Sequence, residues 1–176
     1  MTVGNWMRTA ARRPLFRMGM GYAALVVLFD QVTKLWVLHG IRLPQRPFGR
    51  INLTPIFDLT YTENRGVSFG LFAGGMTSRV LLSLLAIIVS GFLLRWLGKT
   101  DRPVTAAGAG LILGGAIGNL FDRVAYGFVV DFLDFSGLGF PYIFNVADAA
   151  INVGVGLLLI DSLILERGEM KKRTDR

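Results

Sequence analysis

The chain has 176 residues, of which 52% are apolar and only 18% charged, below the roughly 25% usual for soluble domains. It has no cysteine and one histidine, His39, which excludes disulfides, thiolate metal sites, thiol nucleophiles and any triad or metal cage built on several histidines. Chemistry therefore falls to carboxylates, hydroxyls, amides, Lys or Arg, and neither a metal nor a cofactor is expected. The net charge of +7 sits beside long apolar blocks, where orientation in a membrane accounts for it better than nucleic acid, so no nucleic-acid partner is expected.

In chain order, a basic tail (Arg8, Arg12, Arg13, Arg17) precedes a first apolar block, about Met18–Leu38. The run Arg12-Arg13-Pro14-Leu15-Phe16 loosely resembles a twin-arginine export signal. The block that follows contains Asp30 and Lys34, is too long for a signal core and has no small-residue cleavage site, so it reads as a retained span. Next comes a connection, 39–77, in which Pro44, Pro47 and Pro55 punctuate a loose alternation over Ile51–Thr62. Phe57, Leu59 and Tyr61 fall on one face and Asp58, Thr60 and Thr62 on the other, predicting a small β element on the membrane surface. Further blocks follow at about Ser78–Leu97, Val104–Leu120 (with a polar extension to Arg123) and Pro141–Leu165. A hydrocarbon core about 30 Å thick needs roughly 20 apolar residues as helix, and only helices satisfy their own backbone in such segments. The expectation is an all-α membrane protein of four transmembrane helices with a small β element and loop on the outer, periplasmic side, forming a single membrane-embedded domain over 1–176.

Arg95, Lys99 and Arg102 in the second connection and Arg167, Lys171, Lys172, Arg173 and Arg176 at the C-terminus join the N-terminal arginines on one side. That bias places both termini in the cytoplasm. It is not absolute, since the first outer connection holds Arg42, Arg46, Arg50 and Arg65. Within the third block Ala106, Gly110, Gly114 and Gly118 recur every four residues, a small-residue face that lets a neighbouring helix approach closely.

Ionisable groups inside spans cost about 2.5–3.5 kcal/mol at the bilayer centre on insertion scales, so they need a reason. Asp30 and Lys34 share a face of the first helix; Asn119, Asp122 and Arg123 end the third; Asn145, Asp148 and Asn152 stripe the fourth. In the expected orientation all lie in the outer third of the membrane, with Asp131 in the short connection at the same level. Each has a plainer reading. Asp30–Lys34 could be a self-neutralising pair, Arg123 a snorkelling anchor, and the asparagines bridges between helices. Asp122 and Asp134 read as ordinary interfacial charges, Asp161 as a boundary residue and His39 as an interfacial loop residue. Asp148 resists such a reading, because no cation lies three or four residues away. Asp131 is a candidate partner. Two carboxylates held close share a proton, leaving one to deprotonate water and one to donate to a carbonyl oxygen. A pair of aspartates near a membrane surface could equally serve a proton or cation pathway.

Five motifs in order bear on that choice: Asp30-Gln31-Val32-Thr33-Lys34; Asn64-Arg65-Gly66-Val67-Ser68-Phe69; Gly114 through Arg123, with Gly118-Asn119-Leu120-Phe121-Asp122-Arg123 at its end; Val130-Asp131-Phe132; and Phe144-Asn145-Val146-Ala147-Asp148. With these the chain resembles lipoprotein signal peptidase (signal peptidase II), an aspartic membrane peptidase family, along nearly its full length. The resemblance implies that Asp131 and Asp148 are the catalytic dyad and that Asn64, Asn119, Arg123 and Asn145 line the substrate site. Asp30 and Lys34 give structural support. The implied partners are a prolipoprotein bearing a diacylglyceryl cysteine and the lipids of the bacterial inner membrane, and the implied state is a monomer. Two other readings remain: an ion- or proton-coupled transporter using Asp148, and a non-catalytic assembly factor whose polar cluster docks a partner helix. The first needs a polar path through the membrane, and the inner halves of the last three spans offer only Asp161.

Overall fold

The computed structural model describes residues 3–66 and 75–174, with α5 side chains as far as Ile164; Val67, Ser68 and Phe69 of the second motif lie outside the described residues. The element order is α1 (Val3–Ala10), α2 (Pro14–Leu35), β1 (Arg50–Asn52), β2 (Asp58–Asn64), α3 (Met76–Leu97), α4 (Pro103–Ala125), β3 (Val129–Asp134), β4 (Ile143–Phe144) and α5 (Val146–Thr174). Four of these helices are long and apolar enough to cross a membrane. Pro14 and Pro103 open α2 and α4 at the position where a missing N–H costs nothing. α2 runs on past Leu35 through a wide π-turn, Trp36–Gly40.

α4 is the centre of the bundle. Its apolar stretch is 67% buried, against 11–22% for the other three, whose outward faces carry Leu, Ile, Val and Phe fit for hydrocarbon. Glycine is the reason α4 can sit there. A methyl group on Gly110 would lie 2.3 Å from the Gly19 carbonyl oxygen, and one on Gly114 2.7 Å from that of Ala23, so this face of α4 meets the α2 backbone directly. A second small face serves α5, where a methyl on Gly115 would meet the Ala147 carbonyl at 2.4 Å and Gly108 and Gly154 face each other. Such contacts replace the hydrophobic drive that lipid cannot supply. Gly110→Val should therefore destabilise the protein by about 3 kcal/mol, the upper end for overpacked interiors, read as a lower thermal midpoint in detergent. Gly156→Val, where nothing lies within 4 Å, should leave the midpoint in place.

The β element is larger than the sequence suggests. β1 to β4 form one antiparallel sheet in the order β1-β2-β3-β4, so the segment between α4 and α5 contributes half of it. Asp131 thus lies within a strand, whose residues Val129-Val130-Asp131-Phe132-Leu133-Asp134 suit a half-buried sheet. Leu59, Val130 and Phe132 pack with Val37 and Leu43, binding the sheet to the end of α2. α5 begins at Val146 rather than at Pro141, because Ile143 and Phe144 pair with Asp134 and Leu133. The N-terminal tail, expected as a simple basic segment, is also helical: Trp6 of α1 fills the space beside Gly98 and meets Phe16 edge to face at 6.3 Å.

Three acidic residues are more deeply placed than their sequence context implies. Asp122 is fully buried. Asp134 is buried and accepts from the Thr60 hydroxyl at 2.7 Å and the Ser136 N–H at 2.9 Å. Asp161 is buried between Arg102 (2.6 Å) and the Thr105 hydroxyl (2.5 Å) on α4. Each has a partner distant in sequence, which is why none reads as buried from its neighbours. His39 is exposed on the π-turn.

Candidate active site

Asn145 is the N-cap of α5. Its Oδ1 accepts the Asp148 N–H at 2.9 Å, three residues on, where an orphan amide needs a partner. Asp148 is thereby placed in the first helical turn. The same asparagine donates through Nδ2 to Asp131 Oδ1 at 2.6 Å, so one amide ties the strand aspartate to the helix aspartate. Asn119 of α4 completes the circuit: its Nδ2 donates to Asp148 Oδ1 at 2.7 Å, and its Oδ1 accepts from Asn145 Nδ2 at 3.2 Å.

Asn64 arrives from the other side. Its Nδ2 donates to Asp131 Oδ2 at 3.0 Å, while its Oδ1 accepts the Gly66 N–H at 2.9 Å. Regular alternation would put Asn64 on the face of Asp58 and Thr60. Between the pairs Leu59↔Leu133 and Thr62↔Asp131, however, β2 has one more residue than β3. This bulge reverses the alternation and re-aims Asn64 toward the carboxylate.

Asp131 is buried, and burial together with the charge of Asp148 pushes its carboxyl up to about 7 despite the hydrogen bonds from Asn64 and Asn145. Asp148 is half-buried and lines a groove of about 630 Å³ with Phe135, Phe140, Tyr142, Phe144 and Ile151. Asp131 lines an adjoining recess of about 350 Å³ that shares Asn64, Tyr142 and Ile143 with that groove. Arg123 is half-buried in the last turn of α4, within electrostatic reach of Asp148, Asp131 and Asp122. Asn152 sits one turn beyond Asp148, its side chain bonded to the Asp148 carbonyl at 3.0 Å. The candidates Asp131, Asp148, Asn64, Asn119, Arg123 and Asn145 are thus one constellation.

Behind them lies a buried ionic cluster. Lys34 Nζ is 2.8 Å from both Asp30 Oδ2 and Asp122 Oδ2 and donates to Asn119 Oδ1 at 3.3 Å. Asp30 Oδ1 accepts the N–H of Ala147, the residue before Asp148. Asp122 Oδ2 accepts the N–H of Val130, the residue before Asp131. Gln31 Nε2 joins the two acids, at 3.0 Å to each. One ammonium therefore anchors, through two carboxylates, the backbone immediately preceding each aspartate of the pair. Sequence reasoning found Asp30 and Lys34 but gave Asp122 and Gln31 no role. The signal for Asp122 was its place one turn after Asn119 on a helix face otherwise made of glycine and alanine.

The family model described as signal peptidase (SPase) II matches residues 22–164. The lipoprotein signal peptidase of Caulobacter vibrioides is 47% identical over 154 residues, covering 87% of this chain and 90% of that one. That of Sphingopyxis alaskensis is 42% identical over 170 residues, covering 95% and 96%. Among solved structures, a bacterial membrane enzyme superposes with a TM-score of 0.72 at 29% identity, covering 83% of this chain and 92% of that one.

Proposed function

Because this chain belongs to the signal peptidase II family, we propose that it is a membrane endopeptidase that removes signal peptides from diacylglyceryl-modified prolipoproteins, cutting before the lipidated cysteine, with Asp131 and Asp148 as its catalytic pair. The observation that carries the reading is the asparagine circuit: Asn145 and Asn119 bind two carboxylates, one from a strand and one from a helix, beside a groove of about 630 Å³. The whole chain acts as one membrane-embedded domain, a monomer in the inner membrane. Both termini are cytoplasmic and the sheet lies on the outer face, where a lipid-anchored cysteine presents its preceding peptide bond.

With its carboxyl raised to about 7, Asp131 holds the proton that the pair shares. Asp148 takes a proton from water as the oxygen attacks the carbonyl carbon, and Asp131 gives its proton to the carbonyl oxygen. Collapse of the tetrahedral species breaks the C–N bond, with a proton passing to the leaving nitrogen. The products are a carboxylate on the signal peptide and a free amine on the cysteine. Asn64, Asn119 and Asn145 hold the carboxylates in place, and Arg123 stabilises negative charge developing on the substrate. The groove lined by Phe135, Phe140, Tyr142 and Phe144 receives the apolar part of the substrate.

The test is cleavage of a diacylglyceryl prolipoprotein by the purified protein, followed by mass spectrometry across pH. The product should begin at the lipidated cysteine, and the unmodified precursor should stay intact. The competent form carries one proton on the pair. Activity should therefore fall as pH rises through about 7, approaching tenfold per unit above it. A rate still climbing at pH 9 would rule out a protonated Asp131 as donor. Peptide cleavage with no lipid requirement would overturn the substrate assignment.

A further inference from the structure

Away from the aspartates, at the sheet end of the α3–α4 pair, lies a recess of about 240 Å³ lined by Arg65, Met76, Arg79, Tyr126, Gly127 and Phe128. It shares only Arg65 with the recess beside Asp131. We propose that it binds the phosphate of an anionic glycerophospholipid from the adjoining leaflet, with Arg79 as the main contact.

Arg79 lies in the first turn of an apolar span and is half-buried. Its Nη2 donates to the Val124 carbonyl at 3.0 Å, near the C-terminal end of α4, which fixes the guanidinium at the mouth of the recess. Among the described residues it forms no ion pair. Arg65 is paired with Glu63 at 2.7 Å and lies over the Phe128 ring at 5.6 Å. Two guanidiniums and one carboxylate leave a single positive charge, matched by one phosphodiester. Gly127 takes a left-handed backbone (φ 86°), which turns the chain out of α4 beside the Arg79 guanidinium. Tyr126 and Phe128 add aromatic surface of the kind that sits at headgroup depth. Exposed apolar side chains of α3 (Val80, Leu84, Ile87) and α4 (Ile117, Phe121, Val124) offer a track for acyl chains. Inorganic phosphate has the same head chemistry. The apolar track, which only a lipid can use, assigns the site to a phospholipid. The inference depends on the four spans and not on the peptidase reading.

Full-length protein in dodecyl maltoside would be titrated with dioleoylphosphatidylglycerol and the retained lipid counted by native mass spectrometry. One lipid should be held preferentially, and Arg79→Gln should weaken it about fivefold, the effect of one basic residue at a charged surface. Arg79→Lys, which keeps the charge, should retain most of the affinity and shows that position 79 tolerates change. Arg46→Gln, on an exposed turn, should change nothing. Dioleoylglycerol, which lacks the phosphate, should not be retained. Equal retention by Arg79→Gln, equal retention of dioleoylglycerol, or displacement by millimolar inorganic phosphate would each overturn the proposal.

Discussion

Asp131→Asn and Asp148→Asn should each lower turnover by at least about 10³-fold while leaving the thermal midpoint close to that of the parent. The two substitutions fail for different reasons. At position 148 the amide cannot take a proton from water, so the nucleophile is never generated. At position 131 the amide is not an acid, and its NH2 group must face either Asn64 or Asn145, both of which donate to the native carboxylate. Stability should survive because Asp131 is already inclined to be neutral in the folded protein, with burial pushing its carboxyl up to about 7. Exchanging it for a neutral amide introduces no buried charge. Cleavage rates on a lipidated precursor and melting curves on the same samples separate the two quantities. Undiminished cleavage by either variant would take that residue out of the chemistry, and with it the proposed pair.

Lys34→Met should have the opposite profile, with folding lost first and activity as a consequence. Asp30, Lys34 and Asp122 are each no more than 1% exposed, and the ammonium lies 2.8 Å from both acids. Removing it strands two buried carboxylates, and breaking a buried pair in this way costs about 3–5 kcal/mol. Both acids also hold backbone amides next to the proposed pair, so cleavage should fall even in the fraction that stays folded. A cycle with Lys34→Met, Asp122→Asn and the double variant should give a coupling above about 1 kcal/mol, as expected for residues in one ionic network. A Lys34→Met midpoint indistinguishable from the parent would mean that the cluster contributes little to the fold.

Much of this architecture was legible before any coordinates. Apolar blocks of span length forced helices, because a backbone in hydrocarbon has to satisfy itself locally. The four-residue recurrence of Ala106, Gly110, Gly114 and Gly118 marked a close-approach face, since the absence of side chain there is itself the packing instruction. Asp30, Lys34, Asn119, Asn145 and Asp148 stood out because polar groups in such segments are expensive, and Asp131, in a connection, stood out as a candidate partner for Asp148. These inferences hold within one helix or strand, where spacing alone decides which residues share a face.

What required tertiary structure was pairing between segments distant in sequence. No local pattern shows that Asp122 meets Lys34, that the segment between α4 and α5 adds two strands to the sheet, or that Asp161 reaches Arg102 and Thr105. The bulge in β2 is the sharpest instance. Local alternation assigns Asn64 to the face opposite Asp131, and one extra residue against β3 turns it back. Composition and periodicity therefore determined the four spans and which of their residues were costly to bury. Only the folded chain decided which costly residues neutralise one another, because a charge or an amide in a membrane is satisfied by whatever lies within about 3 Å, whatever its distance along the chain.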